Sequence, residues 1–327
     1  MTETAEKFAY MKRVMSEAEP LTSSEGAVCA VVVTYNPDKA ILEVLVSCLR
    51  QVGHVVVVDN SSSVDSRSMV SGFAETSCLV SNRPASALTY FANTENLGLS
   101  KAFNIGACEG AHLGYKFFLF LDQDSILQGG AVSALLSAHD KMAPVACIGA
   151  LNCHNEEPRT TPLDIASKKF YRWKYERGSL YSGDAIHERR TVINSGLLMP
   201  AEVFSEIGGY SEKLFVDAID LDMSYNLRTH GYKLFQVDTA RITHNQGIST
   251  FGAGPLEIRS HSLGRQYYMV RDTLCAFRKW WRKFPASCCS NLIATLFGTM
   301  MRILFLPGRS ERLRVVVQGL FDQPYTF

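Results

Sequence analysis

Several features that would place this chain in a familiar structural class are missing from its sequence. Nine cysteines are present, an odd number, and they form no Cys-x-x-Cys pair and have no regular spacing. Neither a disulfide framework nor a zinc site is therefore expected, and Cys29, Cys48 and Cys147 are predicted to be small core residues of a protein in a reducing compartment. We expect no signal peptide, since the N-terminus has no apolar segment. No uninterrupted apolar run has the length of a membrane span.

The chain also has almost no net charge, but its charges are unevenly distributed. The whole sequence carries 33 Lys and Arg against 32 Asp and Glu. Residues 259–327 hold eleven of the basic residues and only three of the acidic ones, so the preceding part is negatively charged. An acidic body with a basic tail predicts that the tail meets an anionic surface and that nucleic acid is not the main partner.

A Gly-x-Gly-x-x-Gly motif is absent as well, which argues against a dinucleotide-binding fold. What the sequence does contain is alternation of apolar strands and helices. Residues 28–34 (VCAVVVT) and 55–58 read as buried strands around a helix over 39–50, and 88–92 follows as a third strand. Strand, helix and strand in this order open a doubly wound parallel sheet.

The stretch that organises the chain is FFLFLDQDS, residues 117–125. Its apolar run predicts a strand buried on both faces, and the run ends at Asp122 and Asp124. Ionised carboxylates at a strand end need donors or a cation, and ligands of open α/β sheets bind beyond the carboxyl ends of the strands. The pair therefore suits a divalent cation shared with substrate phosphates. The alternative is that Asp124 or Ser125 caps a helix that follows.

Three other positions in the first half are of interest, and two of them, Asp59 and Lys101, have two interpretations each. Asp59 ends the second strand, where nucleotide-binding sheets place a ribose or base contact, but it also suits a plain turn. Gly98 allows a tight entry into a helix that Ser100 would cap. Lys101 would lie in the first turn of that helix, where it serves a bound anion or is simply a solvated surface lysine.

A second acidic cluster lies in FVDAIDLD, residues 215–222. If a helix begins near Asp220, then Asp217 lies in the entering loop and Asp222 points to another side of the helix. Acids at a helix start are often only caps, but three within six residues suit a site that needs a base. Before this cluster, residues 192–199 predict a strand in which Gly196 allows close approach of a ligand. Residues 152–190 form an irregular polar stretch that is typical of a functional loop.

The C-terminal part combines basic and aromatic residues with a helical apolar stripe. Residues 278–283 read RKWWRK, and apolar residues then recur at helical spacing from Leu292 to Leu304. Arg302 interrupts the stripe, which argues against a membrane span. The pattern is typical of an interfacial membrane anchor, and the alternative is a helix packed on the body or across a dimer interface.

Taken in order, the motifs resemble those of inverting glycosyltransferases of family 2, which have the GT-A fold. The resemblance rests on seven stretches within residues 28–250: VVVTYNP, VVVVDNS, NTENLGLSKAFNIG, FLDQDS, NSGLLM, FVDAIDLD and THNQG. The DQD and IDLD forms, with RQYYMVRD at 265–272, are most similar to the bacterial rhamnosyltransferase branch. That branch uses dTDP-L-rhamnose to build O-antigen, cell-wall or glycolipid rhamnosides.

The resemblance also implies roles for individual residues. Asp220 matches the family's catalytic base, although Ile219 replaces the usual Glu before it, so Asp217 and Asp222 remain alternatives. Asp122, Asp124 and His244 would hold Mg²⁺ or Mn²⁺, and of the two aspartates Asp124 is the preferred metal ligand. Without the resemblance, His244 would be interpreted as an ordinary histidine at a strand end. Arg271 would neutralise the leaving diphosphate, with Arg265 a weaker candidate. Acceptor contacts are expected from Asn194, Ser195 and Gly196. Donor contacts are expected from Thr34, Tyr35, Asn36, Asp59, Asn96, Gly98, Lys101, Asp122, Gln123 and Arg271.

Together these observations predict an α/β protein with a mostly parallel central sheet, helices on both faces and a C-terminal helical tail. Expected boundaries are a flexible leader (1–25), a catalytic domain (26–258) with a nucleotide-binding half to about 125 and an acceptor half from 126, and a basic amphipathic tail (259–327). The partners would be a sugar nucleotide and a glycan or lipid-linked acceptor, with no nucleic acid and a possible homodimer. The protein is expected in the cytoplasm, peripheral on the inner face of the bacterial inner membrane. A family 2 enzyme using another sugar nucleotide, such as a UDP-hexose, and a binding module without catalysis are the alternatives.

Overall fold

A computed structural model describes residues 21–81, 87–142, 146–153, 180–181, 186–244, 250–251 and 258–322. Most of the irregular stretch 152–190 and most of the proposed leader lie outside the described residues. The strands are β1 (Val28–Thr34), β2 (His54–Asp59), β3 (Leu88–Ala92), β4 (Phe117–Asp122), β5 (Ser125–Leu127), β6 (Ala146–Cys153), β7 (Leu180–Tyr181), β8 (Ile186–Arg189), β9 (Leu197–Pro200), β10 (Lys233–His244), β11 (Thr250–Phe251) and β12 (Ile258–Arg259). The helices are α1 (Ile41–Leu49), α2 (Val64–Ser81), α3 (Leu99–His112), α4 (Ala131–Met142), α5 (Ala201–Glu206), α6 (Ile219–Thr229), α7 (Leu263–Trp280), α8 (Pro285–Phe305) and α9 (Arg309–Phe321).

One mostly parallel sheet forms the centre of the described structure, in the order β3-β2-β1-β4-β9-β6-β10-β8-β7, with β5 also paired to β10. Strands β3, β2, β1 and β4 are parallel, and β9 is antiparallel to both β4 and β6. The chain leaves β1 toward β2 and later returns to its other side at β4. The carboxyl ends of β1 and β4 therefore flank a switch point, where ligands of α/β sheets bind.

The central strands consist mostly of apolar residues, which explains why both of their faces are buried. All seven residues of β1 are buried, and their side chains alternate between two separate apolar clusters. Helix α3 lies very close to one face because Gly106 has no side chain. A Cβ at Gly106 would lie 2.3 Å from Cγ1 of Val31. This close packing fixes the start of α3 beside the carboxyl ends of β1 and β2.

The structure corrects several local predictions. No helix follows Asp124, because Ser125 begins the short strand β5, so the capping alternative is wrong. Ser100 does not cap α3; the helix begins at Leu99, with Gly98 in the cap position. The strand predicted over 192–199 is confined to β9, which leaves Asn194, Ser195 and Gly196 in the turn before it. The predicted start of a helix near Asp220 is confirmed by α6.

The three C-terminal helices pack on one another and on the catalytic body. Helix α7 lies against α6, and both α8 and α9 pack on α7. A small apolar cluster joins them, with Tyr225 of α6, Trp280 of α7 and Cys288 of α8 almost fully buried. Trp280 was expected at a membrane surface as part of the RKWWRK stretch, and its burial at 5% exposure removes it from that role.

Helix α8 is 21 residues long and, by length and composition, apolar enough to cross a membrane, with a mean hydropathy of 1.4 over its most apolar window. Only 17% of that window is buried. Its outward face carries exposed Ile293, Leu296, Phe297, Met300 and Leu304. One side of α8 therefore packs on the protein, as the packed-helix alternative required, and the other side remains apolar and uncovered by the described residues.

Candidate active site

The loop after β1 forms one wall of the cleft at the switch point. Asn36 is one of two non-glycine residues with positive φ in the described chain, at 45°. Its backbone N–H donates to the Ser61 hydroxyl at 2.7 Å, and its side-chain oxygen accepts from the N–H groups of Ser62 and Ser63. Tyr35 is half exposed, and its N–H donates to Oε1 of Gln123 at 2.7 Å. A hydrogen bond therefore joins the residues that follow β1 and β4, both of which are predicted to contact the sugar-nucleotide donor.

Asp59 lies beneath this loop and is fully buried. Thr34 donates to Oδ1 at 2.8 Å, the N–H and hydroxyl of Ser61 donate to the same oxygen, and the Tyr90 hydroxyl donates to Oδ2 at 2.7 Å. Burial, together with the bond to this carboxylate, raises the pKa of Tyr90, which keeps its hydroxyl protonated as a donor. In this conformation Asp59 holds the ends of β1, β2 and β3 together, and a nucleoside contact by Asp59 stays a prediction.

The second wall is the loop that enters α3. The Asn60 amide donates to the Gly98 carbonyl at 3.2 Å and accepts from the Asn93 amide at 2.8 Å. Asn96 is exposed, and its side-chain oxygen accepts from the Gly98 N–H at 3.0 Å. Gly98 has φ of 82°, and a Cβ there would lie 2.7 Å from both the ring and the carbonyl of Phe215. Only glycine fits, and the loop thereby touches the segment that carries the second acidic cluster.

The floor of the cleft is the end of β4, where Asp122, Gln123 and Asp124 are all half-buried. The N–H of Asp122 donates to the Ser195 hydroxyl at 3.2 Å, and the hydroxyls of Ser195 and Ser125 lie 2.6 Å apart. Burial, followed by the charge of Asp124, raises the pKa of Asp122 to about 7. A carboxylate whose pKa is raised by the charge of a neighbouring carboxylate is a natural place for a cation.

The turn at 194–196 supports this floor from beneath. Asn194 and Ser195 are almost fully buried, and the Gly196 N–H donates to the Phe120 carbonyl at 2.8 Å. Asn194 accepts a hydrogen bond from the Tyr210 hydroxyl at 3.2 Å. These residues therefore position the end of β4 in this conformation, and acceptor binding by them stays a prediction.

The second acidic cluster faces the floor across the cleft. Ala218, at the cap position of α6, is the other non-glycine residue with positive φ, at 57°. Asp217 precedes it and pairs with Arg265 through two contacts, Nε to Oδ2 at 3.0 Å and Nη2 to Oδ1 at 3.2 Å. Burial raises the pKa of Asp217 to about 6, and Arg265 opposes that shift. Asp220 lies in the first turn of α6, where the helix dipole favours an ionised carboxylate.

Asp222 is held on the side of α6 that faces α7. Its carboxylate accepts from Nζ of Lys279 at 2.8 Å and from the indole N–H of Trp280 at 2.6 Å, and the residue is 3% exposed. A buried carboxylate that is paired with a cation and accepts a hydrogen bond from an indole N–H already has a structural role. The geometry therefore weighs against Asp222 as a base.

The two arginines predicted to contact the diphosphate, Arg265 and Arg271, have different partners in the structure. Arg265 pairs with Asp217, and its charge lowers the pKa of both Asp122 and Asp217. Arg271 instead pairs with Asp272 at 2.7 Å, donates to the Lys213 carbonyl and lies over the ring of Tyr268. Arg265 keeps 43% of its side chain exposed, against 18% for Arg271, and a diphosphate contact by either arginine stays a prediction. Lys101 is exposed in the first turn of α3.

Asp122 and Asp124 fit a divalent cation by the chemistry of their oxygens and by the raised pKa of Asp122. No ready-made group of three or more His, Cys, Asp or Glu was found among the residues that the structure describes. The register of β10 on β5 places His244 directly opposite Ser125, next to Asp124. The backbone of His244 thus lies near the acidic pair, while its side chain lies outside what is described, and metal binding by His244 stays a prediction.

Sequence reasoning missed several residues that hold the cleft together. Arg67 donates to the carbonyls of Ser61 and Asn93, both at 2.6 Å, and so ties the ends of β2 and β3. Asp272 accepts from three successive N–H groups of the acidic loop. Arg67 lies outside the quoted motifs, and Asp272 ends the RQYYMVRD stretch without being assigned a role, because the importance of both residues comes from partners far away in the sequence.

Comparison with known proteins identifies the family of this chain and shows which solved structures share its fold. A model described as "Glycosyl transferase family 2" matches residues 29–197. The dTDP-rhamnosyl transferase RfbF of Shigella flexneri is 26% identical over 252 residues, covering 76% of this chain and 79% of the relative. The galactofuranosyltransferase GlfT1 of Mycolicibacterium smegmatis is 24% identical over 231 residues, covering 68% and 72%.

Two solved structures are similar in fold at 14% identity. GalNAc-T7, crystallised with UDP, GalNAc and Mn²⁺, has a TM-score of 0.57 over 79% of this chain and 48% of that chain, so this chain spans about half its length. TarS residues 1–349 of S. aureus has a TM-score of 0.52 over 90% of this chain and 80% of that chain. The predicted α/β fold with its mostly parallel sheet and C-terminal helices is confirmed.

Proposed function

The chain belongs to glycosyltransferase family 2, and from this premise we propose that it is an inverting rhamnosyltransferase that uses dTDP-L-rhamnose. The donor is supported by the relative named as a dTDP-rhamnosyl transferase, which aligns over about three quarters of both chains. The acceptor in this proposal is a hydroxyl of a glycan or lipid-linked sugar in cell-surface polysaccharide or glycolipid synthesis.

The observation that carries the catalytic proposal is that Arg265 pairs with Asp217 and that its charge also acts on Asp122. Its charge lowers the pKa of Asp122 at the end of β4 and of Asp217 before α6. A donor diphosphate at β4 would therefore lie within reach of both a cation and the acidic loop. This arrangement suits group transfer from a bound anion, because donor, charge compensation and base share one cleft.

In the proposed reaction Asp220 removes the proton of the acceptor hydroxyl as its oxygen attacks the anomeric carbon. Asp217 and Arg265 orient the acceptor and the leaving diphosphate, and one displacement gives inversion. Asp122, Asp124 and His244 would hold Mg²⁺ or Mn²⁺, and GalNAc-T7, similar in fold, was crystallised with Mn²⁺. When bound, such a cation offsets the charge that develops on the leaving diphosphate.

A second candidate is a family 2 transferase with another sugar nucleotide, such as a UDP-hexose. It is supported by the relative named as a galactofuranosyltransferase, whose identity to this chain is only two percentage points lower. The family match and two intact acidic clusters argue against a binding module without catalysis.

We further propose that the C-terminal helices place the enzyme on an anionic bilayer, peripheral on the inner face of the inner membrane. The exposed apolar face of α8 and the exposed Trp281 support this, together with the basic surplus of residues 259–327. Trp280 and Lys279 are excluded, because they are committed to Asp222.

A sugar-nucleotide screen tests the donor and the metal together. Purified enzyme is incubated with dTDP-L-rhamnose, UDP-glucose and UDP-galactose, each with Mn²⁺, with Mg²⁺ and with excess EDTA, and nucleoside diphosphate release is measured. We expect release from dTDP-L-rhamnose that stops on chelation and returns with added metal. Turnover of a UDP-sugar without any response to the dTDP-sugar would reject rhamnose, and full turnover in EDTA would reject the metal.

A further inference from the structure

The acidic loop is held by a residue that belongs to neither acidic cluster. Asp272 lies on α7, is fully buried, and accepts three hydrogen bonds on its Oδ2 oxygen. The donors are the successive N–H groups of Phe215, Val216 and Asp217, at 3.0, 2.9 and 3.0 Å. Three consecutive amides that point at one carboxylate oxygen fix the course of a backbone more strictly than any single contact does.

The other oxygen of Asp272 is paired, so the carboxylate remains an acceptor. Arg271 contacts Oδ1 through Nη2 at 2.7 Å and Nε at 2.9 Å. The same arginine donates to the Lys213 carbonyl at 3.1 Å, just before the loop. Burial raises the pKa of Asp272, and the N–H groups of the loop together with the charge of Arg271 oppose that shift.

A second contact from the same face of α7 reinforces the first. The Tyr268 ring stacks on Phe215, with ring centroids 4.1 Å apart and planes 9° from parallel. Phe215 in turn presses on Gly98, and its carbonyl accepts from the N–H of Leu99 at the start of α3. Helix α7 thus reaches both the acidic loop and, through Phe215, the loop predicted to bind the donor.

We propose that Asp272 is a positioning residue for the transfer reaction: its three hydrogen bonds set the place of the loop that presents Asp217 and Asp220. This inference rests on the proposed function for the roles of those two acids. The loop ends at Ala218 in a left-handed conformation, which non-glycine residues adopt only when their surroundings impose it. Asp272 supplies that constraint immediately upstream, so its loss should displace Asp217 and Asp220 more than the donor loop, which it reaches only indirectly through Phe215.

The test compares Asp272→Ala, which removes the acceptor, with Asp272→Asn, which keeps a side-chain oxygen of similar position. Thr273→Val is the matched control, because this neighbouring residue is also buried and its hydroxyl faces Thr295 of α8 instead of the loop. Two readouts are needed: amide hydrogen exchange of residues 213–218, and kcat and KM for donor and acceptor. The donor is dTDP-L-rhamnose, or whichever sugar nucleotide the wild type turns over.

For Asp272→Ala we expect faster exchange of the amides of Phe215, Val216 and Asp217, and a kcat about 100-fold lower with the donor KM nearly unchanged. Asp272→Asn should restore most of both properties, and Thr273→Val should resemble the wild type. Faster exchange with an unchanged kcat would overturn the positioning role, and so would an unchanged exchange rate. A wild type inactive on dTDP-L-rhamnose would reject only the donor, because the exchange measurement does not depend on turnover.

Tyr268→Leu keeps the inference testable if Asp272→Ala does not fold. This milder change removes the stack on Phe215 and leaves all three hydrogen bonds to Asp272 in place. We expect a smaller increase in exchange of the same amides and a lower kcat at nearly constant donor KM. A Tyr268→Leu enzyme with faster exchange and full kcat would overturn the inference.

Discussion

At the scale of single residues, backbone strain marks two loops of the candidate site, the loop after β1 and the acidic loop before α6. Asn36 and Ala218 are the two non-glycine residues with positive φ in the described chain, and each lies in a loop that carries predicted site residues. Such conformations cost roughly 1–3 kcal/mol and persist only where neighbouring contacts impose them. Here the serine N–H groups hold Asn36, and the contacts from α7 hold the loop before Ala218. The strain therefore coincides with the place where chemistry is proposed.

Replacing Asp220 with Asn should abolish most transfer, because the amide keeps the shape of the side chain but cannot accept the hydroxyl proton. The loss of a general base typically costs about 100- to 10,000-fold in rate. Donor affinity, measured by calorimetry with dTDP, should stay close to that of the wild type. Glu202→Gln is the matched control, since Glu202 is an exposed acid in the first turn of another helix, α5. Near-full turnover of Asp220→Asn, with loss in Asp217→Asn, would move the base to Asp217.

The pairing of Arg265 with Asp217 predicts a specific pH dependence. Burial raises the pKa of Asp217 to about 6 and that of Asp122 to about 7, and Arg265 lowers both. Since the proposed roles require ionised carboxylates, turnover should fall as the pH is lowered through this range. Removal of the cation in Arg265→Leu should raise both pKa values further and move the acid limb of the pH–rate profile to higher pH.

Arg265→Lys provides the comparison, because it keeps the charge and loses only the two-pronged geometry. Its acid limb should therefore lie between those of the wild type and Arg265→Leu. Identical acid limbs in all three enzymes would show that the Arg265 charge does not control these carboxylates.

At the scale of elements, α7 is the helix that joins the tail to the site. One face supplies Arg265, Tyr268 and Asp272 to the acidic loop, at spacings of three and four residues. Its C-terminal end supplies Lys279 and Trp280 to Asp222 of α6. The sequence predicts a boundary at 258 between a catalytic domain and a tail. That boundary would separate Arg265 and Asp272 from Asp217, with which both are in contact.

Asp222→Ala should destabilise the protein because it leaves Lys279 and the Trp280 N–H without their acceptor. The loss of one partner from a buried ion pair costs roughly 3–5 kcal/mol, which urea unfolding would detect. The double variant Asp222→Ala with Lys279→Met should lose less than the single variant, since no buried cation is left unpaired. Unchanged stability together with lost turnover would instead return Asp222 to the list of candidate bases.

At the scale of the whole molecule, charge and apolar surface are separated along the chain. The body before residue 259 is acidic, the tail is basic, and the exposed apolar residues of α8 lie within the basic part. This polarity would orient the protein with its C-terminal helices toward an anionic surface. Because α7 connects those helices to the acidic loop, binding there would occur next to the site without covering it.

Flotation with liposomes tests this orientation. We expect co-flotation with anionic vesicles that weakens at high salt, and little with neutral vesicles. Phe297→Ser, on the exposed face of α8, should reduce it, whereas Val64→Ser changes an exposed apolar residue outside the C-terminal helices and should not. Equal flotation on neutral lipid, or none on either, would contradict the proposal.

The sequence by itself determined the fold class, and it predicted two acidic clusters as the place of the chemistry. Apolar runs such as residues 117–121 can only be buried strands, and carboxylates at their ends cannot be explained by packing. The strands β1 and β3, the start of α6 and the cleft at the carboxyl ends all follow from patterns that are local in the chain. Local patterns suffice there because strand burial and helix entry depend on neighbouring residues.

Only the tertiary structure decided which of several similar side chains face the cleft. Asp217, Asp220 and Asp222 look alike in sequence, yet partners some 50 residues away give Asp222 to α7 and pair Asp217 with Arg265. Likewise, Arg271 is committed to Asp272, a residue of the RQYYMVRD stretch to which the sequence assigned no role. Long-range contacts of this kind depend on how helices pack against each other, and a single sequence does not encode that packing in any short pattern.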